Sequence, residues 1–240
     1  MSDAYYVAMS AQVTMEAQLE AIANNIANVN TAGYRASGVR FEATMAEVGD
    51  QQVAYSSLGD VYVIRQQGEM KYTGNSLDVA VDGQGWFALQ TPAGIAYTRD
   101  GRFHLTDLGD LQSVNGYPVL DVGGSPVTLD PSAGPVEISE SGAVSQGGKQ
   151  VSSIGVFLIP ADAKLARYDN SSVIPNKPVD PAEDPTTNGV RQGYVEGSNV
   201  NPILEMTRLI SASRAFEQAT AALDQADQMS RDAIQTLSPA

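Results

Sequence analysis

The residues able to do chemistry are few, and their spacing does not gather them into a site. His104 is the only histidine and there is no cysteine, so a Ser–His–Asp relay has a single possible base. His104 alternates with Phe103 and Leu105 in a strand-like run. That spacing turns its ring outward, away from the face the apolar neighbours bury, and no Gly-x-Ser-x-Gly elbow accompanies it. Gly83-Gln84-Gly85 is a fragment of a dinucleotide fingerprint, but no third glycine or helix follows at the required spacing. Asp78, Asp82, Asp100, Asp107 and Asp110 are carboxylates of the kind that hold calcium. The twelve-residue ligand spacing is absent, however, and acids in turns are ordinary. The expectation is no catalytic residue, no cofactor and no metal, hence not an enzyme.

The amides of Ala21–Asn30 are more informative. Ile22, Ile26 and Val29 fall on one face of a helix, while Asn24, Asn25, Asn28 and Asn30 crowd the other positions. Asparagine is about 0.5–0.7 kcal/mol worse than alanine in a helix, because its amide competes for nearby backbone groups. One reading is amides used as paired donors and acceptors against other backbone. The other is a polar face that happens to be Asn-rich before a turn. Gly33 is suited to the left-handed conformation that stops a helix, with Tyr34 folding back on the last turn.

Around this stretch the elements are long at the ends and short in the middle. Met15, Leu19, Ile22, Ile26 and Val29 make a heptad-like stripe, and a helix over 4–29 would be about 39 Å long. Pro202 suits a first helical turn, and Asn199 or Asn201 suits its cap. Leu209, Phe216 and Leu223 then recur every seven residues, with Ala212, Ala219 and Ala226 three residues after each. Large residues at one seam position and alanine at the other allow a partner helix to approach closely. A helix over 202–237 would be about 54 Å long, against a diameter of roughly 45 Å for a compact chain of this size. Its natural partner is the N-terminal helix, either as a hairpin within one molecule or with further packing between molecules.

Between the ends, Phe41, Met45 and Val48 suggest a short helical piece and Val61–Ile64 a strand. From Leu77 to Pro160 the texture is that of short antiparallel strands. Leu77, Val79 and Val81 alternate with polar residues, Trp86-Phe87-Ala88-Leu89 is a short apolar run, and Asp100-Gly101 and Asn115-Gly116 mark turns. Val151–Ile159 reads as one buried strand closed by Pro160. The Pro-rich stretch 169–192 reads as an extended surface excursion.

A length of 240 residues permits one or two domains. A net charge of −14 disfavours nucleic acid and anionic membrane as partners. No cleavable signal peptide is expected, the first basic residue being Arg35, and no run of about 18 apolar residues is found that would embed the chain in a membrane.

The stretch AIANNIANVNTAGYR resembles the N-terminal signature of the bacterial flagellar rod and hook proteins. DGQGWFALQTPAGIAYTRDGRFHLTDLGDLQSVNGYPVL, from Asp82 to Leu120, is similar to that family's β-core. QGYVEGSNVNPILEMTRLISASRAFE, from Gln192 to Glu217, is similar to its C-terminal pattern. The resemblance implies an α+β fold, with the N- and C-terminal helices paired as a coiled coil and a central β-rich domain of short antiparallel strands. The expected organisation is a terminal helical assembly domain, 1–36 with 200–240; a connecting segment, 37–76; and a central β-domain, 77–199. The resemblance implies a structural subunit that self-assembles into a hollow shaft around an export channel and transmits torque to the hook. Its implied partners are itself, other flagellar rod proteins and the flagellar type III export apparatus, and its implied place is the basal body, across the periplasm. Besides the two helical stripes and the four amides, the resemblance adds Thr31, Gly33, Tyr34, Glu196, Ser198, Asn199, Val200, Met206 and Arg214 to the assembly interface. Glu196 and Arg214 are candidates for an ion pair across subunits, worth ~0–1 kcal/mol if exposed. A reading from another class is a secreted β-rich binding module with helical oligomerisation ends. It would need exposed aromatics gathered on one β-face.

Overall fold

The computed structural model describes residues 2–48 and 51–237, with side chains described for 9–41, 59–225, 227–229 and 231–232. The elements in order are α1 (Ser2–Ala27), β1 (Ser37–Val48), β2 (Gln51–Val63), β3 (Met70–Tyr72), β4 (Val79–Asp82), β5 (Trp86–Thr91), β6 (Gly94–Thr98), β7 (Phe103–Leu105) and β8 (Leu111–Ser113). There follow β9 (Val136–Ile138), β10 (Ala143–Gln146), β11 (Lys149–Ser153), β12 (Val156–Leu158), β13 (Leu165–Arg167), β14 (Ser172–Pro175), β15 (Asp180–Pro181), β16 (Gly189–Gln192), β17 (Tyr194–Glu196) and α2 (Pro202–Leu237). They form two compact units. One gathers α1, the β1–β2 ribbon as far as Tyr62, and α2; the other gathers residues 28–36 and 63–200.

In the helical unit, α1 and α2 lie side by side. The C-terminal end of α1 meets the N-terminal end of α2 through Asn25 and Glu205, so the two run antiparallel. The 202–237 helix begins and ends where proline and the heptad stripe place it. Asn201 Oδ1 accepts from the N–H groups of Ile203 and Leu204, both at 3.1 Å, and Glu205 adds a negative charge at the positive end of the helix dipole. Removing this cap with Asn201→Ala is expected to lower the stability of the helical unit by about 1 kcal/mol, read as an earlier loss of helical circular dichroism on heating. α1 stops at Ala27, two residues short of the expected end, where Asn28 C=O accepts from Thr31 N–H in a turn. The expected helical piece over Phe41–Val48 is strand β1 instead. Val39, Phe41, Ala43 and Met45 alternate with Arg40, Glu42, Thr44 and Ala46, and this period of two outweighs the weaker helical spacing.

The β-unit contains a six-stranded antiparallel sheet in the order β13-β14-β6-β5-β12-β15, with smaller pairs β4–β16, β3–β17 and β7–β8 and a three-stranded β9-β10-β11 sheet. β5 explains the apolar run. Phe87 and Leu89 enter one core with Val79, Val81 and Phe103, while Trp86 and Ala88 enter a second with Tyr97 and Phe157. A strand buried on both faces shows no alternation. The expected single strand over Val151–Ile159 is broken into β11 and β12. Ile154 N–H turns to Gly142 C=O and Gly155 N–H to Leu120 C=O, and a Cβ on Gly155 would lie 2.7 Å from Asp121 C=O. The 169–192 stretch is largely extended and contributes β14, β15 and β16.

Candidate assembly site

The family-like motifs converge at two places, one in each unit. In the β-unit, three stretches of chain lie together at residues 33–36, 64–68 and 196–199. Gly33 N–H donates to Glu196 C=O at 2.8 Å, Ile64 N–H to Ala36 C=O at 2.8 Å, and Asn199 N–H to Tyr34 C=O at 3.3 Å. The Asn199 side chain ties all three. Its Oδ1 accepts from Ala36 N–H at 2.6 Å, and its amide N–H groups donate to Ile64 C=O at 3.2 Å and Gln66 C=O at 2.8 Å. Tyr34, Ala36 and Val200 pack as a small core with Val29 and Ile64 beside them. Arg167 lies 4.5 Å over the Tyr34 ring and donates to Arg35 C=O at 2.6 Å. Ser198 Oγ, half-buried, accepts from Val200 N–H at 3.3 Å.

Below this lacing lies an ionic cluster that sequence reasoning missed. Glu196 is 0 % exposed, and Arg35 and Arg99 are each 2 % exposed. Arg35 Nη2 is 2.6 Å from Glu196 Oε1, a close ion pair without good hydrogen-bond alignment, and Arg99 Nη1 is 3.1 Å from Oε2. Gly68 N–H also donates to Oε1 at 3.0 Å. Arg35 donates to Arg65 C=O at 3.1 Å and to Gln66 C=O; Arg99 donates to Gly83 C=O at 2.6 Å and Val81 C=O at 3.3 Å. Both guanidinium carbons stand over Trp86, at 5.7 and 5.4 Å from the ring centre. Desolvation pushes the Arg35 guanidinium down from its ordinary value. It pushes Arg99 down to about 10, reinforced by the Arg35 charge and opposed by Glu196. Both remain protonated at neutral pH, so the cluster carries one uncompensated positive charge. The expected pairing of Glu196 with Arg214 across subunits does not hold: a carboxylate sealed between two arginines has no surface to offer a neighbour.

In the helical unit, Asn25 bears out the paired-amide reading. Its Nδ2 donates to Ser37 C=O at 2.9 Å, and its Oδ1 accepts from Ser37 N–H at 2.8 Å. Nδ2 also reaches Glu205 Oε2 at 3.2 Å, and Glu205 Oε1 is held by Arg208 Nη1 at 2.6 Å. Glu205, buried, is a further charged residue that sequence reasoning passed over, although it opens the EMTRLI run. The other amides differ. Asn28 Oδ1 accepts from Thr31 Oγ1 at 3.1 Å, and Asn24 and Asn30 are exposed.

The two helical stripes are partly satisfied within one molecule. Ile22 and Ala212 are buried, and Met15, Leu19, Ile26, Leu209, Phe216, Ala219 and Leu223 are half-buried. Met206 and Arg214 are exposed. The side chain of Ala226 lies outside the described residues. Gly33, Tyr34 and Asn25 are interior groups that position backbone.

Neither place has the makings of a reaction centre. The buried charges are held by other charges, backbone carbonyls and an aromatic ring, with no nucleophile among them, and His104 is exposed on β7. Asp100 and Asp82 are each engaged by an arginine, Arg102 and Arg191, at 2.6 Å. Among the described residues no three His, Asp or Glu converge on one point, and no helix is long and apolar enough to cross a membrane.

The β-unit with its laced chain crossings and the two long antiparallel terminal helices carry the stretches that resemble the flagellar rod and hook proteins, and known families match them. Residues 6–35 match the flagella basal body rod protein family, 80–146 the flagellar hook protein FlgE/F/G D1 domain, and 191–236 the flagellar basal body rod FlgEFG protein C-terminal family. A flagellar basal-body rod protein FlgF from Mesorhizobium japonicum is 45 % identical over 99 % of this chain and 98 % of its own length. One from Rhizobium meliloti is 41 % identical over the same shares. A flagellar basal-body rod protein FlgG from Bacillus subtilis is 29 % identical over 95 % of this chain and 97 % of its own. The chain belongs to the flagellar basal-body rod protein family, is more like FlgF than FlgG, and is a structural rod subunit rather than an enzyme.

Proposed function

We propose that this chain is a subunit of the proximal rod. Its terminal helices pair as a coiled coil and pack with those of neighbouring subunits into a hollow shaft, while the β-unit lies outside and makes lateral contacts. The shaft surrounds the export channel, spans the periplasm and passes torque to the hook. The subunit reaches it through the flagellar type III export apparatus, and its neighbours are copies of itself and other rod proteins. The residues that make the contacts come from the two helical stripes and from exposed positions such as Met206 and Arg214. Residues 1–36 with 200–240 are read as the assembly domain and 77–199 as the outer β-domain, with 37–76 linking them.

The observation that carries the reading is identity at 45 % running through both helices and the β-body to a relative named FlgF. The distal rod is the second reading, supported by the 29 % likeness to FlgG. The secreted binding module is disfavoured because Trp86, the single tryptophan, is buried against two arginines rather than displayed. A chromosomal deletion is expected to abolish swimming and to leave basal bodies without a complete rod, as seen by electron microscopy. Normal swimming with intact rods would overturn the proposal.

A further inference from the structure

We propose that the crossing of residues 33–36 with 196–199 is a mechanical clamp, which bears tension on the two ends of the chain in shear and keeps it off the sheets of the β-unit. The two stretches run in the same direction. Contacts advance together along both, from Gly33 N–H on Glu196 C=O to Asn199 N–H on Tyr34 C=O and Ala36 N–H on Asn199 Oδ1, the sense of a parallel pair. The chain first enters the β-unit at Asn28, before one stretch, and finally leaves it at Val200, after the other. Tension therefore draws the first stretch backward and the second forward. Parallel neighbours drawn in this way slide along each other, and every bond between them is strained at once. Pulled apart from one shared end, the same bonds open one after another.

The side chains at the crossing resist that sliding. The ion pair of Arg35 with Glu196 spans the two stretches at 2.6 Å with both groups buried, so displacement must draw opposite charges apart inside the protein. The exit stretch is also fixed on its other side. Gly68 N–H holds Glu196 Oε1, Gly197 N–H donates to Glu69 C=O at 2.8 Å, and the Asn199 amide holds the carbonyls of Ile64 and Gln66. The shortest path for force from Asn28 to Val200 crosses these bonds alone. Residues 70–195, which form the sheets of the β-unit, lie outside that path.

Single-molecule pulling on the full chain tests this, and the absence of native cysteine lets handles be placed at chosen residues. In one arrangement the handles sit at the two termini, where separation of the helices is one event and opening of the β-unit another. In the second, Asn30→Cys, exposed, and Tyr194→Cys, half-buried, put both handles at the same end of the crossing. At equal force the β-unit is expected to open at least about tenfold more slowly from the termini, because several hydrogen bonds must break together. Asn199→Ala removes contacts at the end of the crossing far from residue 194. It is expected to speed opening from the termini about tenfold. Opening from residues 30 and 194 should change less than about twofold, since that end parts first and the Asn199 contacts are still made at the barrier. Equal rates for the parent in the two arrangements would overturn the clamp. So would an equal acceleration of both by Asn199→Ala, the mark of a group that only stabilises the fold, or no acceleration from the termini. Should Asn199→Ala fail to fold, the comparison of the two arrangements in the parent decides alone. The rod reading stands or falls separately, on swimming and on the rods of the deletion strain.

Discussion

Glu196→Ala is expected to lower the stability of the β-unit by about 3–5 kcal/mol, the cost of removing one partner of a buried ion pair. Among the described residues, Glu196 is the one carboxylate paired with the guanidiniums of Arg35 and Arg99, each 2 % exposed. Neither arginine can escape to water without opening the structure. Arg35 is held by the carbonyls of Arg65 and Gln66, and Arg99 by those of Val81 and Gly83. Deleting the carboxylate leaves two like charges side by side and also removes the acceptor for Gly68 N–H. Glu196→Gln keeps an acceptor and the volume but not the charge, so a smaller loss is expected. Glu196→Met combined with Arg99→Met removes a charge of each sign and should be better tolerated than Glu196→Ala alone, because a buried pair replaced by apolar groups need not be unfavourable. Trp86, the single tryptophan, touches both guanidiniums, so its fluorescence during urea unfolding reports on this cluster. A Glu196→Ala variant within about 1 kcal/mol of the parent would show that the cluster contributes little.

This cluster also marks where sequence reading stops. α2 was legible because everything that defines it is local: Pro202, an asparagine before it, and a seven-residue stripe. The outward His104, the apolar run at Trp86 and the paired donor and acceptor of Asn25 were legible for the same reason, each following from residue type and near neighbours. Arg99 and Glu196 are 97 residues apart, and each sits among turn residues, where a charge ordinarily reads as solvated surface. Nothing in their flanks signals that β17 carries Glu196 inward. The likeness to a family marked Glu196 as worth attention but assigned it the wrong surroundings. The misreadings at Phe41–Val48 and Val151–Ile159 are of another kind. There, two periodicities compete, or one strand is broken where a glycine meets distant backbone, and tertiary contacts decide. Glu205 was hidden by its position, since an acid in a first helical turn is explained by the dipole alone.

The glycine of the N-terminal signature should be as intolerant as Glu196, for a steric reason. Gly33 has φ +67°, a conformation that costs an ordinary residue roughly 1–2 kcal/mol. A Cβ there would also stand 2.2 Å from Asp100 N and 2.4 Å from Arg99 C, both backbone atoms. No rotamer change relieves that overlap; the 33–36 stretch or the Arg99–Asp100 backbone must move. Either shift strains the Gly33–Glu196 hydrogen bond and disturbs Arg99 in its buried site. Adding a cost of about 1–3 kcal/mol for forcing atoms into packed structure, Gly33→Ala is expected to lose about 2–5 kcal/mol in the urea unfolding followed through Trp86. Gly124 separates the two contributions. It has φ +80°, yet nothing lies within 4 Å of its would-be Cβ, so Gly124→Ala should lose only the conformational part. Equal losses for the two variants would mean that the close approach of residues 33 and 100 does not constrain the fold. A clear excess at Gly33 would identify the signature glycine as a spacer that lets three stretches of chain share one narrow seam, rather than as a helix stop, since α1 has already ended at Ala27.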